Sequence, residues 1–143
     1  MLVKEIMTKS VVSIAPDDTI EKAAKLMKEY DVGSIPVCRG NEIVGIITDR
    51  DIIVRSTANG LKCNEKLVKD IMSSNPVLGN PDMDTNDATR IMSERQIRRL
   101  PIAENNNLIG MISLGDLAVE ANLTNEVGST LSDISEPCSP KVH

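Results

Sequence analysis

Two short stretches carry the residue types and the spacing that binding chemistry needs. Gly45-Ile46-Ile47-Thr48-Asp49-Arg50-Asp51 and Gly110-Met111-Ile112-Ser113-Leu114-Gly115-Asp116 each lead an apolar run into a hydroxyl residue, with a carboxylate three positions on. An aspartate at a helix start facing an apolar wall could accept hydrogen bonds from two sugar hydroxyls, while Thr48 or Ser113 serves a phosphate. Material for such a wall lies nearby in both cases, as Ile35-Pro36-Val37 and Leu100-Pro101-Ile102. The same Ser/Thr-x-x-Asp pattern is also that of a capping box, in which hydroxyl and carboxylate satisfy each other's backbone amides and no ligand takes part. Both readings fit the residues.

Catalytic chemistry finds little to work with. The only histidine is His143, the last residue, so a histidine general base or nucleophile partner has no candidate. Cys38, Cys63 and Cys138 form no C-x-x-C pair and fit neither a disulfide framework nor a zinc cage, and Cys38 sits in an apolar strand where an inert buried thiol is expected. No phosphate-binding glycine loop is present. The seven methionines read as core filler, nearly all to be buried, rather than as a soft-metal site. Asp17, Asp18, Asp82 and Asp84 read as helix-start residues favoured by the macrodipole. Arg90, Arg95, Arg98 and Arg99 resemble a nucleic-acid patch in charge only. No aromatic residue interleaves with them, Tyr30 being the sole aromatic side chain, and the net charge is −5.

The elements that must position the two motifs emerge from an internal repeat. Val3–Arg55 aligns without a gap onto Val68–Glu120 at a constant offset of 65, with 16 identical pairs in 53. The identities fall on Pro16 and Pro81, Ala23 and Ala88, Met27 and Met92, Pro36 and Pro101, Gly45 and Gly110, and Asp51 and Asp116. Within the first copy, Val11–Ile14 reads as a short strand, and a helix opens at Asp18 or Thr19 with Ile20, Ala23, Ala24 and Met27 on its buried face. Strands at Ser34–Cys38 and Ile43–Ile47 flank a hairpin turn at Arg39-Gly40-Asn41-Glu42, and a second helix starts at Thr48. The order β-α-β-β-α then recurs, giving an α+β chain. Residues 1–60 form the first repeat and 61–122 the second. Residues 123–143 hold a short amphipathic helix, with Val127, Leu131 and Ile134 as its stripe, and a flexible tail from Cys138 to His143. That helix either covers the domain's own core or makes a subunit contact.

With 41% apolar residues, the 143-residue chain can bury a real core, and each copy alone is near the size at which a core is marginal. The copies are therefore expected to pack as one body. Lys4 and Glu5 stand where a secretory signal would be apolar, and no run approaches the roughly 20 apolar residues that span a bilayer. The expectation is a cytoplasmic protein that engages neither membrane nor nucleic acid.

The paired G-h-h-[ST]-x-x-D motif after an h-P-h strand, found twice, resembles the tandem CBS domain, or Bateman module, over Val3–Glu120. With IRRLPI and SLGDLAV, the layout is similar to small stand-alone bacterial CBS-pair proteins. The resemblance implies two repeats packed with pseudo-two-fold symmetry, adenosine-containing ligands in clefts between the repeats, and dimerisation through helices. It also implies roles for individual residues. Asp51 and Asp116 match the ribose-binding aspartate, and Thr48 and Ser113 the hydroxyl that contacts ribose or phosphate. Ile35, Pro36 and Val37, with Leu100, Pro101 and Ile102, match the apolar wall beside the base. Arg98 and Arg99, just before that strand, and Arg50, inside the first motif, match basic positions that reach phosphate. The function implied is a non-catalytic sensor of AMP, ADP, ATP or S-adenosylmethionine that needs no cofactor or metal, forms a homodimer and signals to a separate effector protein. The alternative is a ligand-free scaffold that dimerises and docks a partner.

Overall fold

The computed structural model describes residues 1–120 and 124–136. Two compact units are present, each an α+β assembly around one repeat. The unit built on the first repeat comprises Ser10–Val77 with Asn105–Leu108, and the unit built on the second comprises Met1–Lys9, Leu78–Glu104 and the residues from Ile109 onward.

In the first unit, the Thr19 side chain accepts a hydrogen bond from the Lys22 amide at 3.2 Å and caps α1 (Ile20–Tyr30). Strand β1 (Ser34–Arg39) pairs antiparallel with β2 (Glu42–Thr48), Ser34 opposite Thr48 and Ile35 opposite Ile47. Gly40 takes the left-handed φ of 65° that the hairpin turn demands, and Asn105 supplies φ 52° in the second repeat. After Thr48 the chain forms one turn of helix, α2 (Asp49–Asp51), and widens into a π-helical turn over Ile52–Ser56. The core gathers Ile14, Ile20, Ala23, Met27, Ile35, Val37, Ile47, Ile52, Val68 and Ile71. Ala24, expected on the buried face, is exposed: the stripe of α1 is only Ile20, Ala23 and Met27 wide.

The second unit repeats the pattern with α3 (Thr85–Arg95), β4 (Arg99–Glu104), β5 (Asn107–Ser113) and α4 (Leu114–Ala118), and β4 neighbours β5. Here Thr89, the counterpart of Ala24, is buried, because α5 (Thr124–Ser135) packs on α3 and α4. The Thr130 hydroxyl donates to the Thr89 carbonyl at 3.5 Å, and the Gln96 amide donates to the Asp133 and Glu136 carbonyls at the end of α5. The buried line of α5 is Val127 and Thr130 rather than the expected stripe through Leu131, which is 44% exposed: the face that meets α3 is centred one residue earlier. The tail from Cys138 to His143 lies outside the described residues.

The expected first strand of each repeat contracts to a single bridge, Ile14 beside Val37 and Gly79 beside Ile102. The prolines explain this. Ile14 donates to the Pro36 carbonyl at 3.1 Å and accepts from the Cys38 amide at 2.8 Å. Extending this parallel ladder would require an N–H from Pro36 on one side and from Pro16 on the other, and neither has one. Gly79 makes the same two bonds, to the Pro101 carbonyl and from the Ala103 amide, with Pro101 and Pro81 as the stops.

Each repeat's opening segment folds into the other repeat's unit. Val68–Asp70 forms a 3-10 turn in the first unit and Ser73–Ser74, as β3, pairs with Gly45 and Ile46 of β2. Val3–Glu5 forms the corresponding turn in the second unit, where Thr8 bridges Met111. The two segments are held by matching bonds: Lys69 N to Pro16 O and Lys4 N to Pro81 O, both 3.0 Å, with ion pairs Lys69–Asp17 at 3.0 Å and Lys4–Asp82 at 3.1 Å. Asp17 and Asp82 are thus clasps for these segments rather than helix-start residues, whereas Asp84 does cap α3. Lys69 holds the Asp17 carboxyl below the usual carboxylate range. Of the seven methionines, Met27, Met92 and Met111 are buried. Met7 and Met72, half-buried, cover Gly110 and Gly45 from the exchanged segments, and Met72 packs against the first unit's core.

Candidate functional site

Both hydroxyl-carboxylate motifs are built as capping boxes. The Asp51 amide donates to Thr48 Oγ1 at 3.0 Å and the Thr48 amide to Asp51 Oδ2 at 2.9 Å. Ser113 and Asp116 reproduce both bonds at the same lengths. The cap uses one oxygen of each carboxylate. Its second oxygen distinguishes the two copies. Asp51 Oδ1 faces Arg55 Nε at 3.7 Å, whereas Asp116 Oδ1 has no hydrogen bond or ion pair among the described residues. Among the described residues no buried side-chain oxygen lacks a partner, so this atom of the half-buried Asp116 reaches solvent.

The strand before each motif ends at the same rim. Asp49 N donates to the Gly33 carbonyl at 2.9 Å, and Leu114 N to the Arg98 carbonyl at 2.8 Å. The backbone of Arg98 is thereby fixed beside the first turn of α4, two residues from Asp116. Arg98 and Arg99 are exposed and no described carboxylate pairs with either; Arg50 is exposed and equally unpaired. The second unit therefore brings Ser113, Asp116 and Arg98 to one edge, and the first brings Thr48, Asp51 and Arg50.

The residues expected to form the wall are buried. Ile35, Val37, Leu100 and Ile102 are all 0% exposed, since alternate residues of a strand share a face and these four face the cores. Pro36 and Pro101 are buried as well. Arg55 was not among the residues singled out by motif, although its i+4 spacing from Asp51 on a helix is a signal for such a pair. Burial pushes the Cys38 thiol up, as befits an inert cysteine. Among the described residues, no three His, Cys, Asp or Glu side chains converge as a metal site would require, and no helix is long and apolar enough to cross a membrane.

Fold and motif together define a tandem α+β repeat in which each copy ends its second long strand in a capped aspartate. The chain belongs to the CBS domain family, whose description matches residues 3–57 and 68–121, once per repeat. It is 46% identical over 133 residues to the CBS domain-containing protein YhcV of Bacillus subtilis (strain 168), covering 93% of this chain and 94% of that protein. It is also similar to the solved CBS-domain containing protein ATU1752 from Agrobacterium tumefaciens, with a TM-score of 0.72 at 28% identity, over 81% of this chain and 95% of that one. Hypoxic Response Protein I, a Mycobacterium tuberculosis protein solved with two coordinated zinc ions, gives a TM-score of 0.78 at 26% identity, covering 84% and 98%.

Proposed function

We propose that the chain is a non-catalytic regulatory module that binds an adenosine-containing ligand, AMP, ADP, ATP or S-adenosylmethionine, at its aspartate motifs, works as a homodimer and passes its state to a separate protein. The observation that carries this reading is the free Oδ1 of Asp116, held in place by its capped partner oxygen, at a helix start whose Leu114 amide bonds the Arg98 carbonyl. A carboxylate fixed in this way is a ready acceptor for sugar hydroxyls, and a guanidinium binds phosphate with a charge-assisted bond roughly twice as strong as a neutral one. A ligand can shift the module between two states only by its differential affinity for them.

Titration calorimetry with adenosine, AMP, ADP, ATP and S-adenosylmethionine tests the reading. Asp116→Asn retains a carbonyl oxygen for the Ser113 amide but replaces the free acceptor with an NH2 group, so the fold stays and every adenosine compound weakens by about tenfold or more. Replacing Arg98 and Arg99 with alanine weakens the nucleotides and spares adenosine. The competing reading is the scaffold, which the capping role favours because it accounts for both aspartates without a ligand. No heat with any compound at millimolar concentration would establish the scaffold instead.

A further inference from the structure

The two aspartate motifs differ in one contact that neither the motif nor the repeat alignment contains. Asp51 is 13% exposed, and its remaining oxygen lies 3.7 Å from Nε of Arg55 one helical turn on. The same guanidinium donates through Nη1 to the Ile71 carbonyl at 3.2 Å. Ile71 belongs to the segment that the second repeat contributes to this unit, so Arg55 joins the first motif to that segment. Position 120, the counterpart of Arg55, is Glu, and no cation faces Asp116 among the described residues.

The geometry points to Arg55 as a built-in competitor for the first site: a ligand that takes the free oxygen of Asp51 must displace Arg55, whereas the Asp116 site is open. This rests on the adenosine-ligand reading above and adds that the two sites differ in affinity by design of a single side chain. Because Arg55 also holds Ile71, its displacement would release one bond on the exchanged segment, and occupancy of the first site would be felt there. The backbone amide of Arg50 donates to Asp49 Oδ1 at 2.8 Å, but its exposed guanidinium makes no ion pair among the described residues, so it does not substitute for Arg55.

The test uses adenosine and AMP as probes on the full chain, with Asp116→Asn as the background that isolates the first site. Adding Arg55→Gln should tighten both probes by about two- to fivefold, the range that a partly exposed ion pair can withhold. Arg55→Lys, which keeps a cation opposite Asp51, should return the affinity towards that of the background. Two results overturn the inference while leaving the adenosine reading intact: unchanged affinity for both probes, or weaker AMP with unchanged adenosine, which would make Arg55 a phosphate ligand. Absence of binding by the wild-type chain and by every variant overturns both. A melting transition for each variant identifies any that fails to fold, and Arg55→Met then replaces Arg55→Gln.

Discussion

Gly45 and Gly110 are identical between the repeats for a reason that lies in the exchanged segments. A Cβ on Gly45 would come within 2.7 Å of Met72 Sδ and 2.8 Å of the Ser73 carbonyl oxygen. On Gly110 it would meet Met7 Sδ at 2.5 Å and the Thr8 carbonyl oxygen at 3.0 Å. A methionine tip can move, but the backbone of a paired strand cannot move cheaply. Gly45→Ala should therefore destabilise by about 1–3 kcal/mol and Gly110→Ala by less, as urea denaturation of the two variants would read. Adding Met7→Ala to Gly110→Ala should recover part of the loss, whereas Met72→Ala should do little for Gly45→Ala. The glycines were legible in the sequence as members of the motif, but their clash partners were not, because both lie at the other end of an alignment that pairs positions without saying which copy a segment joins. The facing of the wall residues was not legible for a related reason. Ile35, Val37, Leu100 and Ile102 were visible as apolar strand residues, but their facing is set by strand alternation and by what packs beneath, and both point them inward.

At the scale of the element, α1, both hairpins and the helix starts at Thr48 and Ser113 follow the local pattern closely, since capping residues and turn glycines act over three or four positions. The first strand of each repeat did not, because a proline two residues away on the same strand and another on its partner together remove the bonds that would extend it. The segment clasps were likewise hidden: Lys69 and Asp17 stand 52 positions apart, nearly a whole repeat. Asp17 lies on the surface with its carboxyl pulled down first by its bond to Lys69, then by that lysine's charge. A depressed folded-state pKa stabilises above the unfolded value and is lost as pH falls through the folded one. The wild-type chain should therefore melt slightly higher than Asp17→Asn at neutral pH and low salt, and the difference should shrink to nothing as the pH drops below the carboxylate range. Scanning calorimetry from pH 7 to about pH 2 checks this, and added salt should reduce the difference at neutral pH because the pair is exposed. A constant difference across that range would show that the carboxyl's hydrogen-bonding shape, not its charge, is what the segment uses.

At the scale of the whole chain, the repeat is plain in the sequence, whereas the exchange of opening segments is not. Two copies that share VK-x-IM are equally consistent with each segment staying in its own repeat, and only packing decides between these arrangements. The structure puts Val68, 0% exposed, in the core built on the first repeat, and Val3, 0% exposed, in the unit built on the second. This crossing makes a prediction that sequence order alone would reverse. Val3→Ala and Val68→Ala each remove two buried methyl groups and should each cost about 2 kcal/mol. The damage should fall on opposite units, however. Val3→Ala should speed amide exchange in α3, β4 and β5, where Val3 N donates to the Met83 carbonyl at 2.9 Å and Thr8 and Met111 exchange bonds of 2.8 and 2.9 Å. Val68→Ala should speed exchange in α1, β1 and β2, where Val68 N donates to the Asp18 carbonyl at 2.8 Å. Native-state hydrogen exchange resolves the two sets of amides under conditions where each unit opens on its own. If Val3→Ala instead loosens α1 and β1 while β4 and β5 keep their protection, the opening segment stays with its own repeat in solution, and the clasp formed by Lys4 and Asp82 does not hold.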